Sequence, residues 1–111
     1  MHHQSMRSET PVITAIVNRA LALGFDLEVA DEDRVLLARS HHLPELLATI
    51  GNTKVTGLTV LEPRPSRRRI GALVLTQAGK NPEELLTDIQ CDGEAALAIL
   101  EDIAHARAHS H

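Results

Sequence analysis

The chain has 111 residues, with 11 lysines and arginines against 15 aspartates and glutamates, for a formal charge of −4. That balance disfavours a general coat for nucleic acid and leaves room for a local basic patch. Hydrophobic residues make up 43% yet Phe25 is the only aromatic residue, and Cys91 is the only thiol. The core must therefore come from Leu, Ile, Val and Ala; flat rings for stacking bases are missing, and so are an internal disulfide and a cysteine-based zinc site.

A chain of this length reads as one domain that buries roughly 65% of its unfolded surface. Residues 1–9 are set aside as a disordered or expression-derived N-terminus, residues 10–105 form a single α+β domain, and 106–111 are a fraying tail. No apolar run reaches the ~18 residues of a membrane helix and no signal-peptide core follows the start, so a cytoplasmic location is expected.

In chain order, Thr10-Pro11 predicts a helix start, a hydroxyl cap followed by proline. Ile13, Ile16, Val17, Ala20 and Leu23 then share one face, and Gly24 supplies a left-handed stop. Phe25, Leu27 and Val29 alternate with Asp26 and Glu28, the period-two pattern of a half-exposed strand. Asp31-Glu32-Asp33 makes a polar turn into a second strand from Arg34 to Ala38. This hairpin is expected to carry its five acids on its outer face or tip. Ser40 is the expected cap of the next helix, whose stripe is Leu43, Leu46, Leu47 and Ile50, with Pro44 tolerable in the first turn.

A second hairpin follows, from Val55 to Leu61, across Glu62-Pro63-Arg64-Pro65-Ser66-Arg67-Arg68, and back along Arg69 to Thr76. That last stretch is apolar at nearly every position, as in a strand covered on both faces. Asn81, Pro82 and Glu84 then combine a cap, a first-turn proline and a capping-box acid, which predicts a helix running to Ile89. Asp92 is the expected cap of a final helix burying Ala96, Leu97, Leu100, Ile103 and Ala104.

Two helix-hairpin units in tandem thus predict an α+β fold: a four-stranded antiparallel sheet with helices mainly on one face. If Val60, Ile70, Ala72 and Val74 face the helices, then Leu61, Leu73 and Leu75 point outward. Those leucines are accordingly the expected self-association surface of a homodimer.

The segment Gly79-Lys80-Asn81-Pro82-Glu83-Glu84-Leu85-Leu86-Thr87-Asp88 resembles small uncharacterised proteins of phages, plasmids and other mobile elements. In those an apolar strand ends in a Gly-Asn-Asp-Pro-like turn and a short acidic helix follows. Leu23-Gly24-Phe25-Asp26 is similar to their first helix-to-strand junction, and Lys80-Asn81 replaces the usual Asn-Asp. The motif is capping chemistry, so the resemblance implies an accessory protein and carries no catalytic mechanism.

Arg64, Arg67, Arg68 and Arg69, on a proline-stiffened turn, are the candidate contact for an acidic partner or nucleic acid. The same residues also read as a charged hairpin end that resists edge aggregation. Asp26, Glu28, Asp31, Glu32 and Asp33 lack the ligand order of a calcium loop and read as a solvated face. His105 and His109 are four apart and His41-His42 adjacent, without a carboxylate or thiol at metalloenzyme spacing, so no metal or cofactor is expected. Cys91 has no locally placed histidine to activate it. Glu83 and Glu84 read as dipole-compensating residues. The function expected is non-enzymatic partner binding or regulation, as an accessory protein of a mobile genetic element. The alternative is a nucleic-acid-binding module using the Arg-rich hairpin tip.

Overall fold

A computed structural model describes residues 4–77 and 85–106. In chain order the elements are α1 (Gln4–Ala22), β1 (Asp26–Ala30), β2 (Val35–Ser40), α2 (Leu43–Gly51), β3 (Val55–Leu61), β4 (Arg69–Thr76), β5 (Leu86–Cys91) and α3 (Glu94–His105). The fold is α+β, and its sheet is antiparallel throughout with strand order β2-β1-β3-β4-β5. It has five strands where four were expected. Since α1 touches both α2 and α3, while α2 packs on β1 and β2 and α3 on β4 and β5, the helices form one layer over one face.

The α1 stripe buries Val12, Ile13, Ile16, Val17 and Ala20. The helix begins at Gln4, before the Thr10-Pro11 start, and so holds Pro11 in its interior. A proline there withholds one N–H donor and crowds the turn before it; its ring sits on the exposed side. The stop at Gly24 is as expected. With φ of 93°, its N–H bonds the carbonyl of Leu21 at 3.0 Å and that of Phe25 bonds Ala20 at 3.2 Å, which closes the helix as a Schellman motif. Leu23, beyond that point, is 40% exposed and leaves the stripe.

Ser40 ends β2 and is not the cap of α2; His42 holds that position without a side-chain bond. Ser40 still braces the helix entry, because its Oγ accepts from the His42 N–H at 3.0 Å and donates to Glu45 Oε1 at 2.9 Å. Leu46 and Ile50 are the fully buried part of the α2 stripe, and Leu43 and Leu47 its half-buried margin. Gln77 completes the far end of the helix, its Nε2 donating to the carbonyls of Ile50 and Thr53 at 2.8 and 2.7 Å.

The facing of β4 is the reverse of the expectation. Leu58 pairs with Leu73, Thr56 with Leu75 and Val60 with Gly71, and all six are buried. A Cβ built on Gly71 would lie 2.5 Å from Leu100 Cδ1 of α3, so this is the helix side. Leu73 and Leu75 are therefore core residues with no exposed surface, whereas Ala72 and Val74 point away from the helices. Leu61, half-buried, remains with the outer set. Period-two alternation separates the residues of a strand into two faces but carries no mark of which one the helices cover.

The helix expected to run to Ile89 is also overturned from residue 86 onward. Leu86–Cys91 is a strand paired with β4, with Ala72 opposite Gln90 and Leu73 opposite Ile89. Without it β4 would be an open edge, and filling that edge with Thr87 and Ile89, good strand formers, outweighs local capping signals. Asn81, Pro82, Glu83 and Glu84 lie outside the described residues. The last helix starts at Glu94 after Gly93, whose φ of 112° suits glycine and displaces Asp92 as the cap. Its buried residues are Leu100, Ile103 and Ala104; Leu97 is 38% exposed.

Candidate functional site at the Arg end of the sheet

Antiparallel order brings the start of β1, the ends of β2, β3 and β5 and the start of β4 to one end of the sheet. The β3–β4 connection that closes this end is held by its own hydrogen bonds. Glu62 N–H donates to the Arg68 carbonyl at 2.9 Å, and Ser66 N–H to that of Pro63 at 3.1 Å. Ser66 Oγ donates to Glu62 Oε1 at 2.7 Å and accepts from the Arg68 N–H at 3.1 Å. The Arg64–Pro65 peptide is cis. A loop braced by these hydrogen bonds loses little entropy on binding, so its four exposed arginines, Arg64, Arg67, Arg68 and Arg69, are presented in place.

Their engagement differs. Arg64 Nε stands 3.8 Å from Asp26 Oδ2, and Arg68 Nη1 3.7 Å from Glu62 Oε2. Arg67 and Arg69 have no ion pair among the described residues. With side chains 65% and 77% exposed, Arg64 and Arg68 gain little from their long contacts and remain open to an incoming anion.

Beneath the loop lies a feature that alternation concealed. Asp26 lies on the outer face of its hairpin, opposite Leu61, yet is only 5% exposed. Arg39 Nε holds its Oδ2 at 2.7 Å, and the Arg39 guanidinium also donates through Nη2 to the Glu62 carbonyl. His41 Nδ1 lies 3.7 Å from Oδ1. One carboxylate thus ties β1, β2 and the β3–β4 loop together. Counting across the hairpin from its polar turn would have placed residue 26 beside Arg39, and that is the signal by which the pair was legible. Asp26→Ala is expected to lower stability by about 3 kcal/mol, since it strands a largely buried guanidinium. Urea denaturation measures this, and Asp26→Asn, which keeps an acceptor, should lose less.

On the helix side of the same end, a groove of about 730 Å³ opens between the loop and the first turns of α3. Arg68 and Arg69 stand at its rim with Glu62 and Asp92, and Ile70, Ile89, Ala96 and Ile99 give it apolar walls. Gly71, Gln90, Cys91 and Ala95 complete the lining between them. Its shape and lining suit an occupant with both a negative group and an apolar side. No protein-family model, curated protein or solved structure matches this chain.

The other sequence candidates fall elsewhere. The Asp31-Glu32-Asp33 turn lies at the opposite end of the sheet. There Asp31 Oδ1 accepts from the N–H groups of Asp33 and Arg34, both at 2.8 Å. Those two bonds, with the Arg34 charge adding to them, hold the Asp31 carboxyl below the usual aspartate range. Among the described residues no three His, Cys, Asp or Glu side chains come together as a metal site, and no helix is long and apolar enough to cross a membrane. His109 lies outside the described residues. Cys91 Sγ is 3.9 Å from the Gly93 carbonyl, and the groove lining contains no histidine. Sequence reasoning missed Arg39 because alternation alone does not show that an outer-face Asp26 is covered, and missed Glu62 and the groove walls because each takes its role from strands and helices distant in the chain.

Proposed function

We propose that this chain is a non-enzymatic partner-binding or regulatory accessory protein, in keeping with the resemblance to small proteins of mobile genetic elements. Its partner is another protein, which presents an acidic segment with an apolar side to the Arg end of the sheet. The observation that carries this reading is the setting of exposed guanidiniums at the rim of an apolar-walled groove. Guanidinium–carboxylate pairs would orient the segment, and desolvation of Ile70, Ile89, Ala96 and Ile99 would supply most of the affinity. Catalysis is disfavoured because Cys91, the groove's thiol, has no histidine in that lining to activate it.

The braced loop with four exposed arginines favours a second reading, nucleic-acid binding. It ranks lower because Phe25, the only aromatic residue, lines a different cavity with Leu23 and Ile99 and offers the loop no stacking surface. The two readings part in a titration followed by NMR. A synthetic peptide alternating glutamate and leucine should shift the Ile70, Ile89 and Ala96 signals, and Arg68→Ala with Arg69→Ala should weaken it roughly tenfold or more. A short DNA duplex that binds steeply with falling salt, while the peptide leaves those signals unmoved, would replace the protein partner with nucleic acid.

A further inference from the structure

The helices cover one face of the sheet, and β4 is apolar on both. Its outer residues Ala72 and Val74 continue into Leu61 and Val55 of β3 and Ala30 of β1, none of them fully exposed. An antiparallel sheet with a solvated outer face shows polar residues there. Here Gly57, Thr59, Ala72 and Val74 make a flat, uncharged centre, while the two ends of the sheet are oppositely charged. Arg64, Arg67, Arg68 and Arg69 mark one end and Asp31, Glu32 and Asp33 the other.

We infer that this outer face binds a second copy of the chain, with the two sheets stacked and their strands running in opposite senses. Pair registers decide the arrangement. The outer residues lie in cross-strand rows, of which the central two are Glu28, Thr59, Ala72, Gln90 and Ala30, Gly57, Val74, Asp88. A twofold axis between the sheets, crossing the strands at the level of Leu58 and Leu73, sets each of these rows over the other. Thr59 then meets a glycine, Ala72 a valine and Gln90 an aspartate it can donate to, while Glu28 meets an alanine and not a second glutamate. The same rotation carries the Arg end of each copy toward the acidic end of the other. A twofold axis along the strands would instead stack arginines on arginines.

With strands ~4.8 Å apart and rising ~3.3 Å per residue, the face measures about 550 Å². Two such faces remove about 1,100 Å² from water, just above the roughly 1,000 Å² a specific interface needs. The dimer is therefore a reversible one. It leaves the groove free, since that opens on the helix side.

Sedimentation across the micromolar range tests this. The parent chain should pass from 12.1 kDa to twice that mass as concentration rises. Val74→Lys should stay at the lower mass with its circular dichroism unchanged, and Gln90→Glu, which sets a carboxylate against the facing Asp88 at an exposed position of the same face, provides the same test should the first variant fold poorly. Arg67→Glu and Glu32→Lys should each weaken self-association at least fivefold when alone, and a mixture of the two should recover it. A parent that stays at 12.1 kDa overturns the inference. So does a dimer indifferent to both Val74→Lys and Gln90→Glu, or a mixture that recovers nothing. A monomer destabilised by both Val74→Lys and Gln90→Glu would show instead that the chain covers this face itself.

Discussion

Leu73→Glu is expected to unfold the protein. Leu73 has no exposed surface and pairs with Leu58, also fully buried, in the middle of the sheet under the helix layer. Truncation to alanine there should cost about 2–5 kcal/mol through lost burial and the cavity left behind. A glutamate adds the cost of placing a carboxylate among apolar side chains, several kcal/mol more. The sum approaches the whole stability of a domain of this size, about 5–15 kcal/mol. Circular dichroism and the dispersion of amide signals should both collapse. Val74→Lys, one residue further along, should remain folded because that side chain faces outward. A folded Leu73→Glu protein would mean that β4 presents its other face to the helices.

Gly71→Ala should cost about 3 kcal/mol despite adding a single methyl group. The new Cβ would stand 2.5 Å from the Gln90 carbonyl oxygen, 2.5 Å from Leu100 Cδ1 and 3.0 Å from Cys91 Cβ. Leu100 can turn aside, but the Gln90 oxygen belongs to the backbone of the paired strand, so β5 has to move. Hydrogen exchange should show β5 and the start of α3 losing protection, while β1 and β3 change less. Gly57→Ala is the control, since its Cβ would meet only the Ala30 carbonyl at 3.9 Å. Equal losses at both glycines would show that the close approach of β5 plays no part, since loss of a glycine lowers the entropy of the unfolded chain and by itself stabilises.

These contrasts show how the information is divided. Local signals in the chain determined most elements: the stripe of α1 from Ile13 to Ala20, the stop at Gly24, the α2 stripe, and both hairpins with their turns. Each depends on side-chain period or backbone permissiveness within a few residues, and neither needs a distant partner to be recognised. The Arg-rich turn was legible for the same reason. Its four arginines are sequence neighbours between two strands, and the prolines there exclude ladder pairing.

Only the tertiary structure decided which face of β4 is buried, because alternation is symmetric; the buried face is the one on which Gly71 lets α3 approach, where a Cβ would lie 2.5 Å from Leu100 Cδ1. It made β5 a strand because an open β4 edge outweighed a local preference for helix. It buried Asp26 because Arg39 and the Glu62 carbonyl, 13 and 23 residues apart in the two bonds concerned, converge only when the hairpins lie side by side. Pairings between distant segments are paid for in loop entropy and rewarded by burial, and neither quantity is written in any short stretch of chain.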